Sequence, residues 1–221
     1  MISISNLVKS YKKKIILGDL NFKIPENKIS FLMGENGVGK TTLIKCLLNL
    51  ENYQGEILFD GNQFSSAKND IYVVYDDTPF YLHLSGYKNI TLLLNKKVTL
   101  DRVKEVASHY LNDDILKSKV KGYSYGQRKK LSLIIATLSE PKYLFLDEVS
   151  NGLDFETMEF LKEKLQEWSK NMTILTVGHQ FDFYSTIIDE LFLLKDSSIT
   201  HITDYSKESG ELSEIYKRIV K

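Results

Sequence analysis

The sequence predicts an α/β protein with a mostly parallel central sheet, an N-terminal antiparallel β subdomain and an inserted α-helical subdomain. Three patterns lead to this prediction. Short, nearly continuous apolar runs alternate with helical patterns, which is typical of central strands covered by helices on both faces. Short stretches in the opening third alternate apolar and polar residues, as half-buried antiparallel strands do. The stretch from about His83 to Ser118 is polar and helical in pattern, and it carries no strong strand signal.

The predicted strands fall into two groups along the chain. In the opening third we expect short strands at Ile2–Val8, Leu17–Ile24, Ile29–Met33 and Gly55–Phe59. Further along, nearly continuous apolar runs predict buried central strands. These runs are Ile71–Tyr75, Tyr143–Leu146, Thr173–Val177 and Leu191–Leu194.

Apolar residues spaced three and four apart predict the helices. This spacing follows a glycine-rich turn at Leu43, Ile44, Leu47 and Leu48, and it recurs at Leu131, Ile134, Ile135 and Leu138 and at Phe155, Met158, Leu161, Leu165 and Trp168. We expect a last helix at Leu212–Ile219. The whole chain, 1–221, is predicted to form a single domain, with the helical subdomain inserted at roughly 83–140.

Composition excludes several classes of protein. The 221 residues are 43% hydrophobic and 26% charged, which excludes a disordered tail, a fibre or a coiled-coil rod. Lys+Arg and Asp+Glu number 29 each, so no overall charge favours nucleic acid. No apolar run approaches the ~18 residues of a membrane span, and no secretory signal is expected at the start. The single cysteine, Cys46, fits a reducing cytoplasm and is expected to be buried rather than redox-active.

The segment Gly34-Glu35-Asn36-Gly37-Val38-Gly39-Lys40-Thr41 matches the phosphate-binding motif between a strand and a helix. Glycines allow backbone N–H groups to approach phosphate oxygens, and the start of the helix adds its positive dipole end. Lys40 is expected to contact the β- and γ-phosphates, and the Thr41 hydroxyl to bind Mg²⁺. The sequence therefore predicts a P-loop NTPase core that binds a nucleoside triphosphate.

An apolar strand that ends in two acids, Asp147 and Glu148, is the second chemical signal. A carboxylate at a strand tip can hold Mg²⁺, and a second carboxylate can polarise a water for attack on the γ-phosphate. The alternative is a solvated strand end. His179 follows the strand Thr173–Val177 and is predicted to face the γ-phosphate, although a structural histidine is the alternative.

Together these motifs resemble the ATP-binding subunits of ABC transporters over nearly the whole chain. Tyr123-Ser124-Tyr125-Gly126-Gln127 is similar to the signature motif of that family, which is commonly Leu-Ser-Gly-Gly-Gln. Ser150-Asn151-Gly152-Leu153-Asp154 resembles its D-loop, and His179 its switch histidine. Tyr11 matches the aromatic residue that stacks on adenine, although a strand-edge aromatic is the alternative.

The resemblance implies that two copies pair head to tail around ATP. The segment Ser124–Gln127 of one copy would then close on ATP held by the loop Gly34–Thr41 of the other. The catalytic residues it implies are Glu148, His179 and Lys40. The implied ATP-binding residues are Tyr11, Asn36, Gly37, Val38, Gly39, Lys40, Thr41, Thr42, Ser124, Gly126 and Gln127. The implied Mg²⁺ ligands are Thr41, Asp147 and Asp76.

Two positions depart from the family pattern. Asp76 stands where the family usually has a glutamine that contacts Mg²⁺ and the attacking water, and it adds negative charge near the phosphates. Tyr125 replaces a signature glycine, so its side chain is expected to point away from the nucleotide. A bulky residue at this position resembles signature variants of bacterial exporter ATPases.

The resemblance implies a Mg²⁺-dependent ATPase that powers a separate membrane permease, as a homodimer or as a heterodimer with a related subunit. It implies a cytoplasmic location, peripheral on the inner face of the membrane, and no nucleic acid. The segment Thr78–Leu84 is apolar and aromatic enough to dock the permease, or else to pack inside the protein. The alternatives are a soluble ATPase of a non-transport assembly, such as cofactor biogenesis, and a module that holds ATP without turnover.

Overall fold

The computed structural model describes residues 1–94, 97–203, 205 and 212–220. Within these residues the strands β1 to β9 are Ile2–Tyr11, Lys14–Ile24, Ile29–Met33, Gln54–Phe59, Ile71–Val74, Tyr143–Asp147, Thr173–Val177, Glu190–Lys195 and Ser198–Ile202. The helices α1 to α9 are Lys40–Leu47, Phe64–Ala67, Gly86–Leu93, Leu100–Ala107, Asp113–Lys117, Tyr125–Ser139, Phe155–Trp168, Phe181–Tyr184 and Leu212–Val220.

Two sheets form the framework. The antiparallel sheet has the order β2-β1-β4, and the larger sheet has the order β5-β6-β7-β3-β8-β9. In the larger sheet every neighbouring pair is parallel except β8 and β9. This arrangement confirms the predicted fold class, with a mostly parallel central sheet and an antiparallel β subdomain.

The larger sheet separates two apolar cores. Since successive side chains on a strand point to opposite faces, Leu144 and Leu146 of β6 pack in one core, and Tyr143 and Phe145 pack in the other. The first core also contains the buried faces of the helices between β5 and β6. The second core joins the antiparallel sheet to α1, where Cys46 is completely buried as the sequence predicts.

The region between β5 and β6 is helical, as the sequence predicts. Its longest helix, α6, has 15 residues and buries eight of them, because both the helical region and the sheet pack against it. The residue before it, Ser124, caps the helix by accepting a hydrogen bond from the backbone N–H of Gln127. Within the stretch Thr78–Leu84, Phe80 is buried in the core, whereas Tyr81 and Leu82 are exposed.

Two strands differ from the sequence interpretation. The sequence places Ile29–Met33 among the short opening strands, but as β3 it lies inside the parallel sheet between β7 and β8, which explains why all five of its residues are buried. The sequence pattern does not predict the edge strand β9, since its outward residues are polar and the strand is only five residues long.

None of the helices in the described part of the chain combines the length and the apolar character that a membrane span requires.

Candidate functional site

Four neighbouring strands bring the predicted site residues to one edge of the central sheet. The strands β5, β6, β7 and β3 are adjacent and parallel, so their carboxyl ends meet at that edge. Loops that follow such strand ends form the usual ligand crevice of an open α/β sheet. The segments that begin there are those of Asp76, Asp147–Glu148, His179 and Gly34–Gly39.

The phosphate loop connects β3 to α1 and depends on glycine. Gly39, the residue before α1, has a φ of 122°, a conformation that side chains disfavour. A Cβ atom there would lie 2.7 Å from Cγ2 of Ile16. Because Ile16 belongs to β2, the antiparallel sheet also leaves no room for a side chain at position 39. The loop can therefore turn its N–H groups into the crevice at the N-terminus of α1, where an anion is favoured.

Lys40 opens α1 with a buried side chain directed into this loop. Its ammonium donates hydrogen bonds to the carbonyl oxygens of Gly34 at 2.7 Å and Glu35 at 2.9 Å. Burial lowers the pKa of Lys40, although Glu148 and Asp147 oppose that shift. An ammonium has three N–H donors, so the two that reach the loop leave one for a phosphate oxygen.

The side chains of Thr41 and Asp147 bring their oxygen atoms together beside the phosphate loop. The Thr41 hydroxyl donates to Oδ2 of Asp147 at 3.4 Å, and Asp147 is only 7% exposed. Burial and the neighbouring Glu148 raise the pKa of Asp147. A hydroxyl and a carboxylate are hard donors suited to Mg²⁺, which commonly takes one or two carboxylates together with phosphate oxygens. Among the described residues no three His, Cys, Asp or Glu side chains are grouped closely enough to hold a metal ion by themselves.

Glu148 follows β6 with a left-handed backbone, φ 53°. Its N–H donates to the carbonyl of Val177 at 3.0 Å, which ties it to the end of β7. Its carboxylate lies 3.3 Å from Nε2 of His179 and accepts a hydrogen bond of 3.3 Å from the Asn151 amide. This conformation is unfavourable for a non-glycine residue, so the contacts around Glu148 have to hold it in place.

Asp76, the first family departure, lies in the loop after β5 and contacts the start of α6. Its carboxylate accepts hydrogen bonds from the hydroxyl of Tyr125 and from the ammonium of Lys129. Burial alone would raise the pKa of Asp76, but these two donors and Asn151 together lower it. The two departures from the family pattern, Asp76 and Tyr125, are therefore in direct contact.

The ring of Tyr125 lies against the D-loop, while its hydroxyl reaches Asp76, which lines the cleft of the phosphate loop. Its ring faces Gly152, since a Cβ atom on that glycine would be 2.3 Å from Cδ1 of the tyrosine. Lys129 lies over the ring, 5.2 Å from the centroid. Burial and the hydrogen bond to Asp76 raise the pKa of the Tyr125 hydroxyl.

The signature residues lie apart from the phosphate loop of their own chain. Ser124 and Gln127 form a reciprocal cap of α6, with the Ser124 N–H donating to Oε1 of Gln127 at 2.9 Å. The Ser124 hydroxyl accepts from the Gln127 backbone, so its own proton remains available to a ligand. Ser124, Gly126 and Gln127 line a cleft together with Lys130 and the D-loop.

The phosphate loop lines a different cleft, of about 300 Å³. Its lining residues are Asn36, Gly37, Gly39, Lys40, Thr41, Thr42, Asp76, Asp147, Glu148 and Val177. Most of the predicted ATP and metal residues therefore share one space. Ser124, Gly126 and Gln127 do not line it.

Tyr11 ends β1 and is 42% exposed. Its hydroxyl lies beside Glu51 and Thr42, and the hydrogen bond to Glu51 raises the pKa of Tyr11. The Lys9 ammonium lies 4.6 Å from the ring centroid and also binds Glu51 at 2.9 Å. These contacts place an exposed aromatic ring next to the start of α1, where adenine stacking is predicted.

Sequence reasoning missed Lys129, which contacts both Asp76 and the backbone of Glu148. A signal was available, since Lys129 lies one helical turn after Tyr125 and close to the apolar stripe that begins at Leu131. A lysine beside such a stripe has to find buried acceptors or reach solvent.

Comparison with known proteins identifies the family. A family model described as ABC transporter matches residues 17–151. The lantibiotic transport ATP-binding protein SrtF of Streptococcus pyogenes is 32% identical over 98% of this chain and 96% of its own. The spermidine/putrescine import ATP-binding protein PotA of Legionella pneumophila (strain Paris) is 28% identical over 91% of this chain and 58% of its own.

The fold comparison agrees. A solved structure titled as the ATP-binding subunit of an ABC transporter superposes with a TM-score of 0.88 at 21% identity, and each chain is covered completely. Since the family model spans more than half of the chain and SrtF matches nearly all of it, this protein belongs to the ABC transporter family as an ATP-binding subunit, an ATPase.

Proposed function

We propose that this ATPase works as a dimer that encloses two ATP molecules and powers a membrane permease on a separate chain. The observation that carries the proposal is the separation of the two clefts. The phosphate loop lines one cleft and Ser124–Gln127 line another, so each chain offers two half-sites that face different spaces. Two copies related by a two-fold axis would complete both sites at once.

In the proposed reaction, Lys40 and the loop N–H groups hold the phosphates, and Thr41 and Asp147 hold Mg²⁺. When bound, the metal neutralises charge on the phosphate oxygens. Glu148 accepts a proton from the water that attacks the γ-phosphate, while His179 and Asn151 orient its carboxylate. Asp76 lies in the same cleft and is proposed to reach the metal through its carboxylate.

The helical region and the Asp76 loop are proposed to dock the permease at the cytoplasmic face of the membrane. Exposed apolar side chains support this assignment. Tyr81 is 55% exposed, and Leu92 and Leu100 are 59% and 57% exposed. The related proteins described above are named for transport of a lantibiotic and for import of spermidine or putrescine, so the direction of transport is proposed to depend on the permease. The comparisons do not support a soluble assembly function.

Replacement of the proposed base tests this mechanism. Glu148→Gln keeps the size of the side chain and removes its ability to take a proton. We expect ATP hydrolysis to fall by about 10²-fold or more, in the range of general-base contributions. ATP binding is retained, and an ATP-bound dimer accumulates, as measured by size-exclusion chromatography with light scattering.

Two variants serve as comparisons. Glu26→Gln alters an exposed carboxylate before β3, at the opposite edge of the sheet, and is expected to hydrolyse ATP at the wild-type rate. Lys40→Ala is expected to lose ATP affinity in calorimetry. Hydrolysis by Glu148→Gln at the wild-type rate would show that Glu148 is not the base.

A further inference from the structure

Lys129 of α6 is an almost completely buried cation beside the ATP cleft. Its side chain is 1% exposed. Its ammonium is within hydrogen-bond distance of four oxygens: the carbonyls of Tyr75 at 3.3 Å, Asp76 at 3.0 Å and Glu148 at 3.1 Å, and Oδ1 of Asp76 at 3.1 Å. A buried ammonium is tolerated only when such acceptors surround it.

These contacts join segments that are far apart in sequence. Tyr75 and Asp76 follow β5, whereas Glu148 follows β6, and Lys129 belongs to the helix that begins at the signature segment. A single side chain therefore connects two strand ends at the ATP cleft to α6. Burial lowers the pKa of Lys129, and the adjacent Asp76 opposes that shift.

The contact with Glu148 reaches one of the non-glycine residues whose φ is positive. The Glu148 backbone is left-handed, a conformation that persists only where its surroundings fix it. Its N–H is held by Val177, and its carbonyl accepts from Lys129 at 3.1 Å and from the N–H of Asn151 at 3.2 Å. Val177 and Asn151 contact the Glu148 backbone through their own backbones, whereas Lys129 contacts it through its side chain.

We propose that Lys129 is a positioning residue for ATP hydrolysis. It fixes the backbone of Glu148 so that the carboxylate faces the ATP cleft, and it holds the Asp76 loop against α6. The inference rests on the proposed role of Glu148 as the base. It assigns to Lys129 no contact with the reacting atoms, so its effect is expected on the rate of the chemical step rather than on ATP binding.

The test is Lys129→Met, which keeps the length of the side chain and removes all its hydrogen bonds. We expect kcat to fall by about 10- to 100-fold, because a small misplacement of a reacting group has an effect of that order. The dissociation constant of ATP measured without Mg²⁺ should stay within about threefold of the wild-type value, since Lys40 and its loop are unaltered and Asp76 is proposed to act through the metal. Both quantities can be measured on the folded protein, with circular dichroism as the check on folding.

A surface control is Lys142→Met, because Lys142 also pairs with an aspartate but its side chain is 52% exposed. Its ammonium lies 2.5 Å from Oδ2 of Asp60, before β6 and away from the ATP cleft. This variant is expected to leave kcat unchanged. Equal losses of kcat in the two variants would overturn the proposal, because the effect would then not depend on the position of Lys129 beside the ATP cleft.

Hydrogen exchange provides a readout that does not depend on ATP turnover. In Lys129→Met, amides of residues 76–78 and 148–151 should exchange faster than in the wild type, because their strand ends are released. Unchanged exchange in both segments would overturn the proposal. If Lys129→Met does not fold, Lys129→Leu, which also removes all N–H donors, is measured in the same way with the same expected losses.

A double variant separates this inference from the proposed function. If Lys129 acts through Glu148, adding Lys129→Met to Glu148→Gln should reduce hydrolysis no further, because residues that act as a unit are not additive. Multiplicative losses would overturn the positioning role. Wild-type hydrolysis by Glu148→Gln would instead overturn the role of Glu148 itself.

Discussion

The contact between Tyr125 and Asp76 shows what the sequence can and cannot predict about single residues. The sequence identifies each as a departure from the family pattern, but it cannot show that they touch, since they are 49 positions apart. Contact between them requires the end of β5 and the start of α6 to meet, which only the fold determines. The bulky ring also needs room, and Gly152 provides it because its hydrogen leaves the ring face open.

Gly152→Ala is expected to destabilise the protein. The residue has a φ of 72°, and a left-handed alanine costs roughly 1–2 kcal/mol. The new methyl group would also meet the Tyr125 ring, whose hydroxyl is held by Asp76. We expect the free energy of unfolding in urea to fall by more than the backbone cost alone.

A double-mutant cycle identifies the part that comes from the ring. In a Tyr125→Ala background the methyl group meets no ring, so Gly152→Ala should cost only the backbone component. The same cost in both backgrounds would indicate that the ring does not restrict this glycine.

The helices show which elements the sequence predicts and which it does not. The apolar spacing predicts α6 and α7, because a helix that packs on one face repeats that face every 3.6 residues. Apolar spacing cannot identify the short edge strand β9. It also cannot predict which strands β3 lies between in the sheet. The position of β3 between β7 and β8 depends on pairings between distant segments.

Asp154, the N-terminal cap of α7, is expected to stabilise the protein. Asp154 accepts hydrogen bonds from the backbone N–H of Thr157 at 2.9 Å and from its hydroxyl at 2.7 Å, and it pairs with Lys130 of α6. Asp154→Ala removes these contacts and should lower the free energy of unfolding by about 1 kcal/mol at neutral pH. Asp101→Ala, in the first turn of α4, is the matched control and should have a smaller effect.

This effect should depend on pH. Lys130 and Thr157 hold the pKa of Asp154 well below its usual range. A carboxylate with a lowered folded-state pKa stabilises the protein fully above its unfolded value, about 3.9, and the stabilisation is lost as the pH falls below that value. Urea titrations at pH 7 and pH 3 should therefore show a smaller difference between wild type and Asp154→Ala at pH 3. An equal difference at both pH values would exclude the ionic contribution.

For the whole molecule, the consequence of two separate clefts can be tested by mixing subunits. Ser124→Asp keeps a good helix cap but places a negative charge where a phosphate would bind. Lys40→Ala damages the other cleft. In a head-to-tail dimer of one Lys40→Ala chain and one Ser124→Asp chain, both defects fall in one ATP site and the second site is intact.

Mixtures of these two inactive chains should therefore hydrolyse ATP faster than either chain alone, in an assay of rate against mixing ratio. A chain that carries both changes leaves no intact site when it pairs with wild type, so adding it should lower the wild-type rate. If the mixture of single variants is no more active than its parents, the proposed head-to-tail pairing is incorrect.

The burial of Cys46 has a practical consequence for such experiments. The thiol is enclosed between α1 and the antiparallel sheet, and burial raises its pKa to about 11, so little thiolate is present at neutral pH. It is also the only cysteine in the sequence. A maleimide fluorophore or spin label will therefore react at an engineered surface cysteine in preference to the native one, and the approach of two subunits can be followed spectroscopically without first removing the natural thiol.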